Sequence, residues 1–164
     1  MATLIHSEED RQAVEAQLGR PLRGHWAVAR RCHLGVPMAI ESHPMLENGA
    51  PFPTLFWLTC PLLVKRASKL EAEGRMRGLN DALASSDGLR YRLSQAVDRL
   101  RVRRDAHEVI DDGGSPPGGG PDRVKCLHAH VAHELSDAPN PIGGFVLAQV
   151  GWPDCRRPCV QGGS

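Results

Sequence analysis

Aromatic side chains are scarce in this chain of 164 residues, which has three Phe, three Trp and one Tyr. A core of stacked rings is thereby excluded, and burial has to rest on Leu, Val and Ala. Lysine is scarcer still, occurring only at Lys65, Lys69 and Lys125, so basic charge is carried almost wholly by Arg. An excess of either sign is also missing. A net charge of +1 supplies no global field to draw in nucleic acid or an anionic membrane. No run approaches the roughly eighteen apolar residues that suffice to cross a bilayer. The first residues carry His6, Glu8, Glu9 and Asp10 where a secretory leader needs a basic start and an apolar block. A cytoplasmic location with no membrane partner is the expectation. Nucleotide motifs are missing as well: the Gly113 to Gly120 tract lacks the Lys-Ser or Lys-Thr pair of a phosphate loop, and there is no nucleophile elbow.

What remains is an ordinary globular composition, 41 % hydrophobic and 24 % charged. The length suits a single domain that buries on the order of 70 % of its unfolded surface, so no staple is needed for stability alone. Ser7 followed by Asp10, with Val14 and Leu18 at helical spacing and Gly19 as a stop, predicts a helix over 8–18. Alternation around Trp26 and Val28, then a turn at Cys32-His33-Leu34-Gly35, predicts strands over 25–30 and 37–41. Pro44, Asn48, Gly49, Pro51 and Pro53 break the chain before an apolar strand over 54–59 ending at Cys60. Pro61 opens a helix that runs to Gly74, and Leu89, Leu93, Val97 and Leu100 carry another to about His107. Residues 111–121 read as a flexible Gly/Pro loop, 145–150 as a last strand, and 153–164 as a mobile tail. The fold expected is α+β: one domain with a small, mostly antiparallel sheet covered by three or four helices.

Five cysteines, an odd number in a chain expected to be cytoplasmic, are better read as ligands, reactive thiols or core residues than as a disulfide framework. The densest chemistry lies in Lys125-Cys126-Leu127-His128-Ala129-His130-Val131-Ala132-His133-Glu134-Leu135, one thiol and three imidazoles in a short segment. Read as a helix, it stands Cys126, His130 and His133 at i, i+4 and i+7, with Leu127, Val131 and Leu135 on another stripe and His128 roughly opposite. Three such ligands leave one tetrahedral position to be filled from elsewhere, and mixed thiolate and imidazole donors favour zinc. Cys60 is the expected fourth ligand, with Cys32, His128, Cys155 and Cys159 as alternatives; the last pair could equally close a disulfide or fray with the tail. The plain alternative makes Cys126 a small buried hydrophobe and the histidines a hydrogen-bonded polar face. A closed set of four ligands organises a fold or an interaction surface, whereas three ligands and water make a hydrolytic nucleophile. Glu134, beside His133, points away by the helical repeat and reads as solvated. Arg90, Arg92, Arg99, Arg101, Arg103 and Arg104 make one helix basic, but Asp98, Asp105 and Glu108 intersperse them and Tyr91 is the lone aromatic. Nucleic acid is therefore not the expected partner, and a non-enzymatic adaptor that binds an acidic or nucleic-acid partner through that helix is the third reading.

The segments Pro51-Phe52-Pro53-Thr54-Leu55-Phe56-Trp57-Leu58-Thr59-Cys60-Pro61, Val124 through His133, and Asn140-Pro141-Ile142-Gly143 resemble the bacterial domain-of-unknown-function family numbered 501. The likeness extends to Gln17-Leu18-Gly19-Arg20, Arg31-Cys32 and Leu70-Glu71-Ala72-Glu73-Gly74, and so to nearly the whole chain. It implies a bacterial protein of actinobacterial type and attaches no activity or partner to it. The function expected from the residues is metal binding, with zinc as cofactor, at Cys60, Cys126, His130 and His133. A zinc hydrolase or thiol-dependent enzyme using the same residues is the alternative.

Overall fold

A computed structural model of the chain describes residues 3–111, 113 and 116–161. Helix α1 (Glu8–Leu18) is capped by Ser7, whose hydroxyl accepts from Asp10 N, and ends at Gly19 with φ 70°. Strands β1 (Trp26–Arg31), β2 (Pro37–Ser42) and β3 (Phe56–Leu58) form an antiparallel sheet in the order β1-β2-β3. Val28 pairs with Ile40, and Glu41 with Phe56. The middle strand β2 is buried along its whole length, so Glu41 is a buried carboxylate and needs partners. Arg103 supplies two N–H bonds, at 3.0 and 2.7 Å, and His107 a third contact at 2.9 Å. These hold the Glu41 carboxyl below its ordinary range against the opposing pull of burial.

Helices α2 (Pro61–Ala72), α3 (Arg75–Ser85), α4 (Asp87–Asp105), α5 (Leu127–Ser136) and α6 (Pro141–Val150) follow, giving six helices and three strands among the described residues. The α+β class and the antiparallel sheet hold, but the sheet has one strand fewer than expected, and of the six helices α5 and α1 make the main contacts with it. Residues 145–150 are helical, because Asn140 and Pro141 are a helix start rather than a turn. The Asn140 side-chain oxygen accepts from Ile142 N and Gly143 N, both at 3.0 Å, and Pro141 loses nothing at the first helical position. Ile142, Val146 and Leu147 are then buried at helical spacing. Helix α3 had no start signal of its own; Gly74, at φ 76°, ends α2 and begins α3 in the same turn.

Helix α5 lies between the sheet and α6, with α2 on its flank. Leu127, Val131 and Leu135, one turn apart, are 0, 1 and 4 % exposed, and each such burial contributes about 1.5–3 kcal/mol. Gly143 lets α6 approach closely: a Cβ there would stand 2.1 Å from the His130 carbonyl oxygen. The Arg-rich helix α4 spends several of its guanidinium groups inside the fold. Besides Arg103 on Glu41, Arg99 donates to the carbonyls of Asp137 and Pro139, and Arg104 is buried. No helix among the described residues is long and apolar enough to cross a membrane.

Candidate metal centre

Helix α5 begins at Leu127, one residue later than a stripe through Cys126 requires. Cys126 is the N-cap, with φ −148° and ψ 116°, so its side chain leaves an extended backbone and does not share a face with His130 and His133. It turns instead toward His128: the sulfur lies 3.9 Å from His128 Nδ1. From α2, Glu71 Oε1 accepts from Leu127 N at 2.8 Å and lies 3.1 Å from the same Nδ1. A carboxylate at the first turn of α5 is placed where the helix dipole favours it. The other ring nitrogen of His128, Nε2, faces Val64 O at 3.2 Å and Ser68 Oγ at 3.0 Å.

Glu71, Cys126 and His128 thus place three ligand atoms of different kinds within 4.8 Å of one another, each side chain half-buried. This group could hold a metal ion. Among the described residues no other three His, Cys, Asp or Glu side chains converge as closely. The hydrogen-bond directions sharpen the point. Val64 O can only accept, so Nε2 carries a proton, and Nδ1 then faces a carboxylate oxygen and a sulfur. A bare Nδ1 facing the carboxylate oxygen is repelled unless the Cys126 S–H donates to it; a proton on Nδ1, or a cation in its place, satisfies both neighbours. Without a cation the ring charges: the hydrogen bond with Cys126 raises the His128 pKa to about 9, against burial and with help from Glu71. For Cys126 burial is the largest influence and pushes the thiol up, but the His128 hydrogen bond and the Ala129 N–H outweigh it and hold the thiol below its ordinary range. The pair favours the ionised thiol and the charged ring over their ordinary balance, and a metal ion would take the place of the ring proton. Cys126 and His128 also stand in the wall of a cleft of about 420 Å³, otherwise lined by apolar groups such as Leu18, Phe56, Trp57 and Val64.

The remaining expected ligands lie elsewhere. His130 and His133 are each 3 % exposed and share Asn140, whose side-chain nitrogen lies 3.1 Å from Nδ1 of both. His130 Nε2 donates to Gly118 O at 3.0 Å. Burial lowers both, His133 to about 3 with Arg99 adding to the effect, so both are neutral rings of a core network. The ring of His133 stacks on Phe56, with centroids 5.5 Å apart. Glu134, expected in solvent, accepts from Asn140 N and helps hold the same junction. Cys60 caps α2, is 6 % exposed, and lines a different cavity with Cys32, Cys155 and Cys159. The anticipated set is therefore divided among three places, because Cys126 precedes the helix and Cys60 faces the turn between β1 and β2. Glu71 was not anticipated as a ligand. Its segment carried part of the family resemblance, but nothing in its local spacing pairs it with Cys126.

A family model described as a protein of unknown function (DUF501) matches residues 28–148. That span includes Cys32, Cys60, Glu71, Cys126 and His128 and stops short of Cys155 and Cys159. No curated protein and no solved structure matches the chain.

Proposed function

Since the chain belongs to the DUF501 family, which is described only as of unknown function, we propose from the chemistry of its own residues that Glu71, Cys126 and His128 bind one zinc ion, with a fourth position open to the adjoining cleft. The observation that carries this is His128 Nδ1 set between the Glu71 oxygen at 3.1 Å and the Cys126 sulfur at 3.9 Å. Zinc bonds of about 2.3 Å to sulfur and 2.0–2.2 Å to nitrogen and oxygen give tetrahedral edges of about 3.4–3.6 Å. The two separations from Nδ1 bracket that range, and the sulfur and the carboxylate oxygen lie within 4.8 Å of each other, so binding draws the three ligand atoms together around the ion. Val64 O accepting from Nε2 is the outer contact that fixes the tautomer and leaves Nδ1 free to ligate.

Three protein ligands and an open position are the arrangement of a hydrolytic zinc site, in which the bound water ionises near neutral pH. Glu71 and Cys126 would supply the negative charge that retains the ion. The apolar cleft would seat a substrate with a hydrocarbon or aromatic portion against Trp57 and Leu18. A closed structural site is the weaker reading, because no fourth His, Cys, Asp or Glu among the described residues joins the group.

One observation favours a second reading. The lowered thiol of Cys126, at the start of a helix and beside a charged imidazole, is also the make-up of a cysteine nucleophile. Alkylation of the metal-stripped chain by iodoacetamide, mapped by mass spectrometry, separates the two. Cys126 is expected to react well below the pH at which an ordinary thiol does, and equimolar zinc is expected to suppress that reaction. Protection by zinc supports the metal site. Rapid alkylation of Cys126 unchanged by zinc would leave the nucleophile reading standing alone.

A further inference from the structure

We propose that Cys32, Cys60, Cys155 and Cys159 form a second centre, a four-thiolate site for a single zinc ion, separate from the group at the start of α5. Each thiol comes from a segment with a reason to be there. Cys32 opens the tight turn between β1 and β2, its amide donating to Val36 O at 2.9 Å and its carbonyl accepting from Gly35 N at 2.9 Å. Cys60 sits where β3 passes into α2. Cys155 and Cys159 lie on the loop after α6, and that loop is tied to the turn by His33, whose Nε2 lies 2.7 Å from Cys155 O. The Cys-x-x-x-Cys spacing falls within the two-to-four-residue separation common in zinc sites.

All four line one cavity of about 20 Å³, together with apolar groups including Val36, Met38 and Pro153 and with Gln17 and Arg157. A space of that size accommodates about one water-sized object. It suits one ion; a four-iron cluster, the other usual occupant of a four-cysteine set, needs more room and would have to displace the loop. The sulfurs are supplied with N–H donors, as thiolate ligands are. Leu34 N lies 3.4 Å from the Cys32 sulfur and Gln17 Nε2 lies 3.7 Å from that of Cys159. The Cys60 sulfur takes the backbone N–H groups of Leu62 and Leu63 at the start of α2. Such donors favour the ionised thiol. No three of these sulfurs lie within 4.8 Å of one another, so binding draws the loop inward through Cys159, the exposed member of the four.

Cobalt titration of the full chain, purified under reducing conditions and stripped of metal, tests this. The cobalt–thiolate charge-transfer band is expected to be strong, to be largely lost in Cys159→Ser and in Cys155→Ser, and to persist in Cys126→Ser. Zinc is expected to abolish it in the parent chain. Cys159 is exposed, so its substitution leaves the apoprotein folded, which circular dichroism checks; Cys60 is avoided because it is buried. A band unaffected by either loop substitution overturns the proposal. So does an iron–sulfur chromophore in the protein as isolated, or a Cys155–Cys159 disulfide that persists under reducing conditions.

Discussion

Replacing Asn140 by alanine is expected to remove about 4 kcal/mol of folding stability, by the sum of a lost helix cap and two orphaned buried acceptors. Its side-chain oxygen caps α6 through Ile142 N and Gly143 N, which accounts for about 1 kcal/mol. Its side-chain nitrogen serves Nδ1 of both His130 and His133, and each acceptor stranded out of water adds about 1–3 kcal/mol. His133 Nε2 is already buried without a partner, so that ring has no second bond to fall back on. Urea unfolding of the two proteins at neutral pH measures the difference. Asn140→Asp separates the parts: it keeps an oxygen for the cap but places a carboxylate against two neutral imidazoles. It should lose less stability at low pH, where the rings can charge, than at high pH. A change below about 1 kcal/mol in Asn140→Ala would mean that the network contributes only its cap.

Glu71→Gln is expected to leave the fold nearly intact while weakening zinc binding by about 100-fold, at the upper end of what losing even an outer partner of a ligand costs. The amide oxygen can still accept from Leu127 N, the contact that Glu71 Oε1 makes at 2.8 Å. Only the charge at the helix start is lost, about 0.3–1 kcal/mol. Zinc loses an anionic ligand outright, and His128 loses a carboxylate that helps hold its pKa up to about 9. Competition with a chelator of known affinity gives the ratio, and thermal melts of the metal-free proteins give the fold. Equal zinc affinity in the two proteins would remove Glu71 from the site; a collapse of the apoprotein would make its role at α5 structural instead.

Local punctuation made much of the fold readable. Ser7 and Gly19 bound α1, the Cys32 to Gly35 turn joins the hairpin, and Pro61 opens α2. Where punctuation is absent or double-edged, local sequence does not determine the element. Gly74 reads as an end and is also a beginning, so nothing local announces α3. The run Phe145 to Val150 is apolar enough to pass for a buried strand, and only the weight given to Asn140 and Pro141 decides between the two. The metal site shows the same limit more sharply. Cys126 and His128 were legible as ligand types, but cysteine is not a capping residue, so nothing local marks Cys126 as lying outside the helix. That one-residue difference moves it from the side of His130 and His133 to the side of His128. Glu71 and the gathering of Cys32 and Cys60 with the late cysteines depend on long-range packing, which spacing along the chain does not encode.

The central claim is that Cys126 and His128, with Glu71, hold a zinc ion that His130 and His133 do not share. Native mass spectrometry of the zinc-reconstituted chain and of its Cys126→Ser, His128→Ala and His130→Ala variants tests it directly. Cys126→Ser and His128→Ala should each carry one zinc fewer than the parent, the two combined should lose no more, and folded His130→Ala should keep the full number. A parent chain without zinc, a count unmoved by Cys126→Ser and His128→Ala, or a zinc lost with His130 but retained without His128 would contradict it.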